Sequence, residues 1–296
     1  MVESVDILDE KYPKDLKEAL KMLPLSLGAK KLYYKGNWDE KIFKNCLAVV
    51  GSRRLTSYGK RATEQIVTEA AAAGITIVSG FMYGGDEAAH SACVKAGGRT
   101  IAVMPCGINR IHPESQKKLY QDILDNNGLI ISEYEDDLQP QIFTYVQRDR
   151  IVAGLSKAIF VTEASLNSGS LITANYAKKM NKKIFALPGQ IFSNVSQGTI
   201  KLIREGAEAV SESNDILSYF KVLLAQRSLG KVGVNPKKSV LNSLEEKIID
   251  QLSRESMKAD ELARLFAIPV AQLGTTLTMM QLKGIINLED QKYYLN

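Results

Sequence analysis

CLAVVGSRRLTSYGKRATEQIVTEAAAAGITIVSG, residues 46–80, decides the fold. It opens on the apolar run CLAVVG (46–51), passes through a helix-prone segment closed by Gly74, and returns to a second apolar run, ITIVS (75–79). Val and Ile without polar alternation suit strands covered on both faces, and Gly is favoured just past a helix C-terminus. A strand–helix–strand unit of this kind pairs its strands in parallel through a right-handed crossover. The same rhythm continues outward. TIAVM (100–104), LIIS (129–132), AIFVT (158–162) and KIFAL (183–187) are further strands, and residues 85–98, 113–128 and 168–181 are helix-prone. Repetition of the unit predicts a doubly wound, mostly parallel α/β sheet over 41–225, with its ligand crevice at the carboxyl ends of the strands.

The flanks read differently. Residues 1–40 form an N-terminal preface, with one helix around Pro13–Leu23 packed on the core. QRSLGKVGVNPKKSV (226–240) carries two Gly, one Pro, four basic residues and no acid, which reads as a flexible basic linker. Residues 241–296 predict helices near 244–254, 258–266 and 271–283, a turn at Ala267–Val270, and a terminal hairpin of IINL and KYYL. This is the plan of a small winged-helix domain.

With 296 residues, 45% hydrophobic and 24% charged, the chain has the composition of a globular protein large enough to need no disulfide or metal staple. No apolar run approaches the roughly 20 residues that span a bilayer. The acidic start MVESVDILDEKYP is unlike a signal peptide, so a cytoplasmic location is expected. The cysteines Cys46, Cys93 and Cys106 stand in no CxxC spacing and are expected as buried free thiols. No metal or cofactor is expected. The net charge of +5 permits a polyanionic partner without requiring one.

Four turns carry the candidate chemistry. Gly51-Ser52-Arg53-Arg54 follows a strand and precedes a helix for which Ser57 is a candidate N-cap. Glycine allows close approach, free helix-start amides attract anions, and Arg53 offers a forked phosphate donor. Ser79-Gly80 through Gly84-Gly85-Asp86 repeats the arrangement, with Asp86 and His90 on one helix face: either a proton-transfer dyad, or a capping Asp near a partly buried His. In Tyr145-Val146-Gln147-Arg148-Asp149-Arg150, an aromatic with two arginines suits stacking on bases and pairing with phosphates; the plainer reading is a surface helix with an internal ion pair. Glu163 ends a strand, and Ser168-Gly169-Ser170 with Thr173 opens a helix as a hydroxyl-rich cradle. Pro188-Gly189 and Ser196–Thr199 repeat the theme after the next strand. Together the turns predict an anion-binding surface along one rim of the sheet. No Walker-type loop, regular GxGxxG or GxSxG elbow is present.

The order GSRR, SYG, IVSGF, GGDEAAH, GGRTIAVMPCGINRIHP, RDRIVAGLS, VTEA, SGSLITA, ALPG and IREGA resembles the bacterial DNA-processing protein A family (DprA, also called Smf) over about 41–210. The resemblance implies an extended Rossmann-like domain that binds single-stranded DNA without catalysis. It implies a homodimer that recruits the RecA recombinase and helps load it on incoming DNA in natural transformation. Carried across, Gly51, Ser52 and Arg53 match the family's phosphate-binding turn. Ser79, Gly80, Gly84, Asp86 and His90 match its second glycine motif, Arg148 and Arg150 its Arg-Asn-Arg segment, and Ser168, Gly169, Ser170 and Thr173 its Ser-Gly-Ser turn. The chain departs from the pattern at Tyr83, Gly85, Tyr145-Val146, Asp149 and Ile200. Tyr145 keeps a stacking face; Asp149 adds an acid near the groove. Two alternatives remain: a phosphoribohydrolase-like enzyme acting on nucleotides through Asp86, His90 and Glu163, and a duplex-DNA regulator using the winged helix, whose helix 271–283 offers one cation, Lys283.

Overall fold

The computed structural model describes residues 3–220, 243–282, 285–289 and 291–295. The chain divides into two compact units, residues 1–224 and 225–296. In the first, β1 (Glu3–Asp6) and β2 (Lys31–Gly36) are followed by β3 (Cys46–Val50), β4 (Thr76–Ser79), β5 (Thr100–Met104), β6 (Leu129–Ser132), β7 (Ala158–Val161), β8 (Lys183–Ala186) and β9 (Glu208–Ala209). Every apolar run singled out in the sequence is a strand. The sheet order is β1-β2-β6-β5-β4-β3-β7-β8-β9. β2 is antiparallel to both β1 and β6; every other pairing is parallel. The chain winds from β3 out to β6 and then restarts at β7 on the other side of β3. The order therefore reverses between β3 and β7, the point where a doubly wound sheet opens a crevice.

The two faces of the sheet bury alternate side chains of each strand. Cys46, Ala48 and Val50 join one core with α1 (Lys14–Lys21), α5 (Ile142–Leu155), α6 (Ser170–Lys179) and α7 (Gln197–Arg204), through Leu16, Ile151, Ala174 and Leu202. Leu47, Val49 and Phe160 join the other with α2 (Ser57–Ala72), α3 (Gly85–Lys95) and α8 (Ser213–Tyr219), through Ile66, Ala89 and Ile216. α4 (Lys117–Asp125) covers the β5–β6 end through Tyr120 and Ile123. The three cysteines are buried free thiols.

Two expectations change. The N-terminal preface has its helix, α1, but flanking strands β1 and β2 also extend the sheet by antiparallel pairing. Helix α2 is capped not by Ser57 but by Thr56, whose hydroxyl accepts from the Gly59 amide at 3.1 Å. Ser57 is instead the first helical residue.

In the second unit α9 (Ser243–Arg254), α10 (Ala259–Phe266) and α11 (Val270–Leu282) precede the antiparallel pair β10 (Ile286–Glu289) and β11 (Lys292–Leu295). Ile248, Leu252, Leu262, Leu273, Leu277 and Ile286 form its core. Ala267 ends α10 in the left-handed conformation, φ +53°, turning the chain toward α11. The linker 226–240 and Lys283 lie outside the described residues.

Because Leu16 is fully buried in the core, beside Gly154 of α5, Leu16→Ala should cost about 2–5 kcal/mol in urea unfolding, the usual range for a core leucine. A change below about 0.5 kcal/mol, the surface norm, would show that the N-terminal segment is an appendage.

Candidate functional site

At the β3/β7 reversal the sheet opens into a cavity of about 520 Å³. Gly51, Ser52, Arg53 and Arg54 line it from the end of β3, Gly80 and Met82 from the loop after β4, Asp86 from the start of α3, and Tyr145, Arg148 and Asp149 from α5. Ser165, Asn167, Ser168, Gly169, Ser170 and Thr173 line it from the β7–α6 turn, and Asn194 and Val195 from the loop after β8. Gly51–Arg53 and Ser168–Ser170 thus face the same space.

Close backbone approach builds this rim. The Gly85 amide donates to Ser52 O at 3.0 Å, and the Ser52 amide to Glu163 O at 2.7 Å. A Cβ on Gly85 would lie 2.7 Å from the Gly51 Cα, so neither turn could carry a side chain there. Gly84 precedes α3 at φ +73°, a conformation that favours glycine. The loop after β8 is tied to the end of β7 by Ala164 N donating to Val195 O at 2.6 Å and Gly198 N to Ala164 O at 2.7 Å.

The floor is polar and buried. Arg148 donates through Nη1 to Gly80 O and, at 2.5 Å, to Val103 O, and through Nε to Asp149 Oδ1 at 3.0 Å. Asp86 accepts from the Met82 amide at 3.2 Å. Burial pushes the Asp86 carboxyl up despite the nearby Arg148 cation. Burial, opposed by Arg148 and reinforced by the Asp86 charge, pushes Asp149 up to about 6. The two acids therefore line the cavity as partners of Arg148.

The mouth is cationic and aromatic. Arg53 and Arg54 are exposed, and the Arg53 guanidinium lies 5.4 Å from the Tyr145 ring centroid. The Tyr145 hydroxyl hydrogen-bonds His112 Nε2 at 2.7 Å. Burial and the Arg53 cation lower the His112 pKa. Ser168 Oγ and Ser170 Oγ are 2.8 Å apart at the start of α6, whose first turn carries no acid. The positive end of that helix faces the cavity.

Several candidates sit elsewhere. Arg150 is buried, donating to Glu133 Oε1 at 2.5 Å and Gln147 O at 2.9 Å, so it secures α5 and does not reach the cavity. Arg148 lines the cavity floor, with Nε and Nη1 engaged by Asp149 and the Gly80 and Val103 carbonyls. Ser79 is buried and donates to Val49 O at 2.6 Å. Gly84 supports the Ser52–Arg53 turn from behind. His90 is fully buried, pairs with Thr100 Oγ1 at 2.7 Å, and is pushed down to about 3 by burial. Glu163 lies beneath the start of α2, accepting from Thr56 N at 2.9 Å and Thr56 Oγ1 at 2.6 Å. Asp86, His90 and Glu163 therefore do not converge on one reacting position. Sequence reading missed Asn167, Asn194 and His112. Asn167 and Asn194 adjoin flagged turns, whereas His112 is distant in sequence and carries no local signal.

The raised Asp149 carboxyl sets a pH dependence. Between about pH 4 and 6 the folded chain holds a proton that the unfolded chain, with an ordinary carboxylate, has released. That stabilisation is full at low pH and lost as pH rises through 6. Urea unfolding should show wild type losing on the order of 1–3 kcal/mol relative to Asp149→Asn between pH 4 and 7. Parallel pH profiles would contradict the burial of this charge.

Comparison with known proteins places these features among relatives. The family model for DNA recombination-mediator protein A matches residues 3–221, and that for the DprA winged helix domain matches residues 235–288. The chain is 40% identical over 218 residues to DNA processing protein DprA of Streptococcus pneumoniae, covering 74% of each chain. It is 31% identical to protein Smf of Synechocystis, covering 97% of this chain and 78% of the relative. The X-ray structure of the pneumococcal protein superposes with a TM-score of 0.67 at 38% identity, covering 73% of this chain and 74% of that one. A structure of DNA processing protein A from Helicobacter pylori, described for its single-stranded DNA binding mode, superposes with a TM-score of 0.65 at 32% identity. It covers 75% of this chain and 96% of that one.

Proposed function

Since the chain belongs to the DNA recombination-mediator protein A family, we propose that it binds single-stranded DNA without catalysis, in the cavity between β3 and β7. The observation that carries this reading is the convergence of Arg53, the start of α6 and Tyr145 on one opening. A phosphate at the mouth meets the Arg53 fork and the positive end of α6. The adjacent base finds the Tyr145 ring, held in place by its hydroxyl bond to His112. Duplex DNA presents no free base face to that ring, which favours the single strand. The scattering of Asp86, His90 and Glu163 supports a binding role over nucleotide hydrolysis.

The same reading extends to partners. The bound strand is protected and handed to RecA recombinase, with the chain acting as a homodimer in the cytoplasm during natural transformation and DNA processing. The basic stretch 226–240 serves as the tether between the strand-binding unit, 41–225 with its preface, and the winged helix, 241–296. Helix α11 carries no charged residue from Val270 to Leu282, which suits a protein contact better than a phosphate backbone.

In fluorescence anisotropy with an oligothymidylate, Arg53→Ala should weaken binding about tenfold at low salt. The slope of log affinity against log salt should fall by about 0.7, one phosphate contact on a single strand. Unchanged affinity and slope would remove Arg53 from the contact. Arg150→Ala should instead lower stability, since it leaves Glu133 buried without its cation.

A further inference from the structure

The floor of the cavity carries two acids, Asp86 and Asp149, against one cation, Arg148. The Asp149 carboxyl meets Arg148 Nε at 3.0 Å and hydrogen-bonds the Thr173 hydroxyl of α6. Its side chain is 12% exposed, all but sealed yet still part of the cavity lining. An ionised carboxylate only accepts hydrogen bonds, whereas a protonated one also carries a donor O–H. Phosphodiester oxygens are acceptors too. The ionised form of Asp149 therefore repels a phosphate and offers it no hydrogen bond, while the protonated form removes the repulsion and supplies a donor.

Burial, opposed by Arg148 and reinforced by the Asp86 charge, sets that change at about 6. A phosphate in the cavity adds a further negative charge beside Asp149, which favours its protonated form still more. Proton and phosphate thus help each other to bind, by the same factor in either order.

The groups around Asp149 leave it well placed for this role. From α3 come Asp86, likewise pushed up by burial, and His90, pushed down by burial to about 3 and so neutral. Helix α6 offers Thr173 and keeps Lys178 and Lys179 in its last turn. Helix α1 meets α5 through Leu16 and Ala19; its Lys14, Asp15, Glu18 and Lys21 are exposed, and Lys17 donates to Ile7 O. Strands β3, β4 and β5 carry no charged side chain. On α5 itself Arg150 is turned to Glu133. At the mouth Arg53 and Arg54 keep their charge. Burial and the Arg53 cation hold His112 below the usual histidine range, so it is neutral at neutral pH and above.

We propose that Asp149 takes up a proton from solvent when single-stranded DNA enters the cavity, so that strand affinity rises as pH falls. The proposal rests on the cavity being a strand site, and it makes Asp149 the residue that sets how tightly phosphate is held there. The proton returns to solvent when the strand leaves.

The test measures fluorescence anisotropy with an oligothymidylate, whose bases and phosphodiesters do not titrate near neutral pH, at fixed ionic strength. It compares the full chain with its Asp149→Asn variant between about pH 6 and pH 8, across the upper limb of the Asp149 transition. Wild type should bind about fivefold more weakly at the upper end. Asp149→Asn, whose amide is a donor at every pH, should bind at the upper end as tightly as wild type does at the lower. Any contribution from His112 is common to both proteins. Parallel declines in the two proteins overturn the proposal and move the titration to another group; a wild-type affinity that ignores pH also overturns it. Calorimetry of wild type alone gives a second readout, independent of how the variant folds. At about pH 6.5, in buffers of different ionisation heat, strand binding should consume about half a proton; no uptake would overturn the coupling. Arg53→Ala separates the two readings, because it should weaken binding at both ends of the pH range and leave the pH dependence in place. If it weakens binding at neither, the cavity reading fails, and the coupling with it.

Discussion

A buried guanidinium holds the crevice in shape. Arg148 reaches from α5 to the backbone carbonyls of Gly80 and Val103, at and beside the ends of β4 and β5. Leaving such buried acceptors unmet costs about 1–3 kcal/mol each. The arrangement demands a residue without a side chain at position 80, because a Cβ there would collide with the guanidinium. It also demands a counter-charge, supplied by Asp149 at 3.0 Å with Asp86 nearby. A cation in so buried a place is stable only when paired and hydrogen-bonded. The floor of the cavity thus pairs a buried cation with acids, and the exposed Arg53 adds positive charge at the mouth.

That division explains the rest of the site. Arg53 stands at the opening, over the Tyr145 ring, and Tyr145 is anchored by His112 on the loop after β5. Three parts of the chain far apart in sequence thus fix one cation and one stacking surface. On the opposite wall, the start of α6 presents hydroxyls and a helix terminus. A strand threaded between the walls meets phosphate donors on both sides and an aromatic face on one.

Most of the architecture was legible because the parallel strands are buried on both faces and so read as unbroken Val/Ile runs, from CLAVV to KIFA. Strands β1 and β2 were not legible. They lie toward one edge of the sheet, are partly polar, and owe their pairing to β6, distant in the chain. The glycine and serine turns were correctly placed on one rim, since the strand that precedes each turn fixes where it ends. The placement of the α5 arginines was not legible: Arg-Asp-Arg reads as a surface motif, but α1 and α6 pack on the same helix, so Arg150 is buried against Glu133 while Arg148 and Asp149 form the cavity floor. Glu163 and His90 looked reactive for their residue type alone; a helix start and the Thr100 hydroxyl account for them.

The central claim is that a single strand lies across the β3/β7 crevice. Photocrosslinking of an oligonucleotide bearing 5-iodouracil, followed by mass spectrometry of the adducts, tests it most directly. The account predicts adducts at Tyr145 and within residues 165–170. Adducts confined to the α2–α3–α8 face, or to residues 243–295, would contradict it.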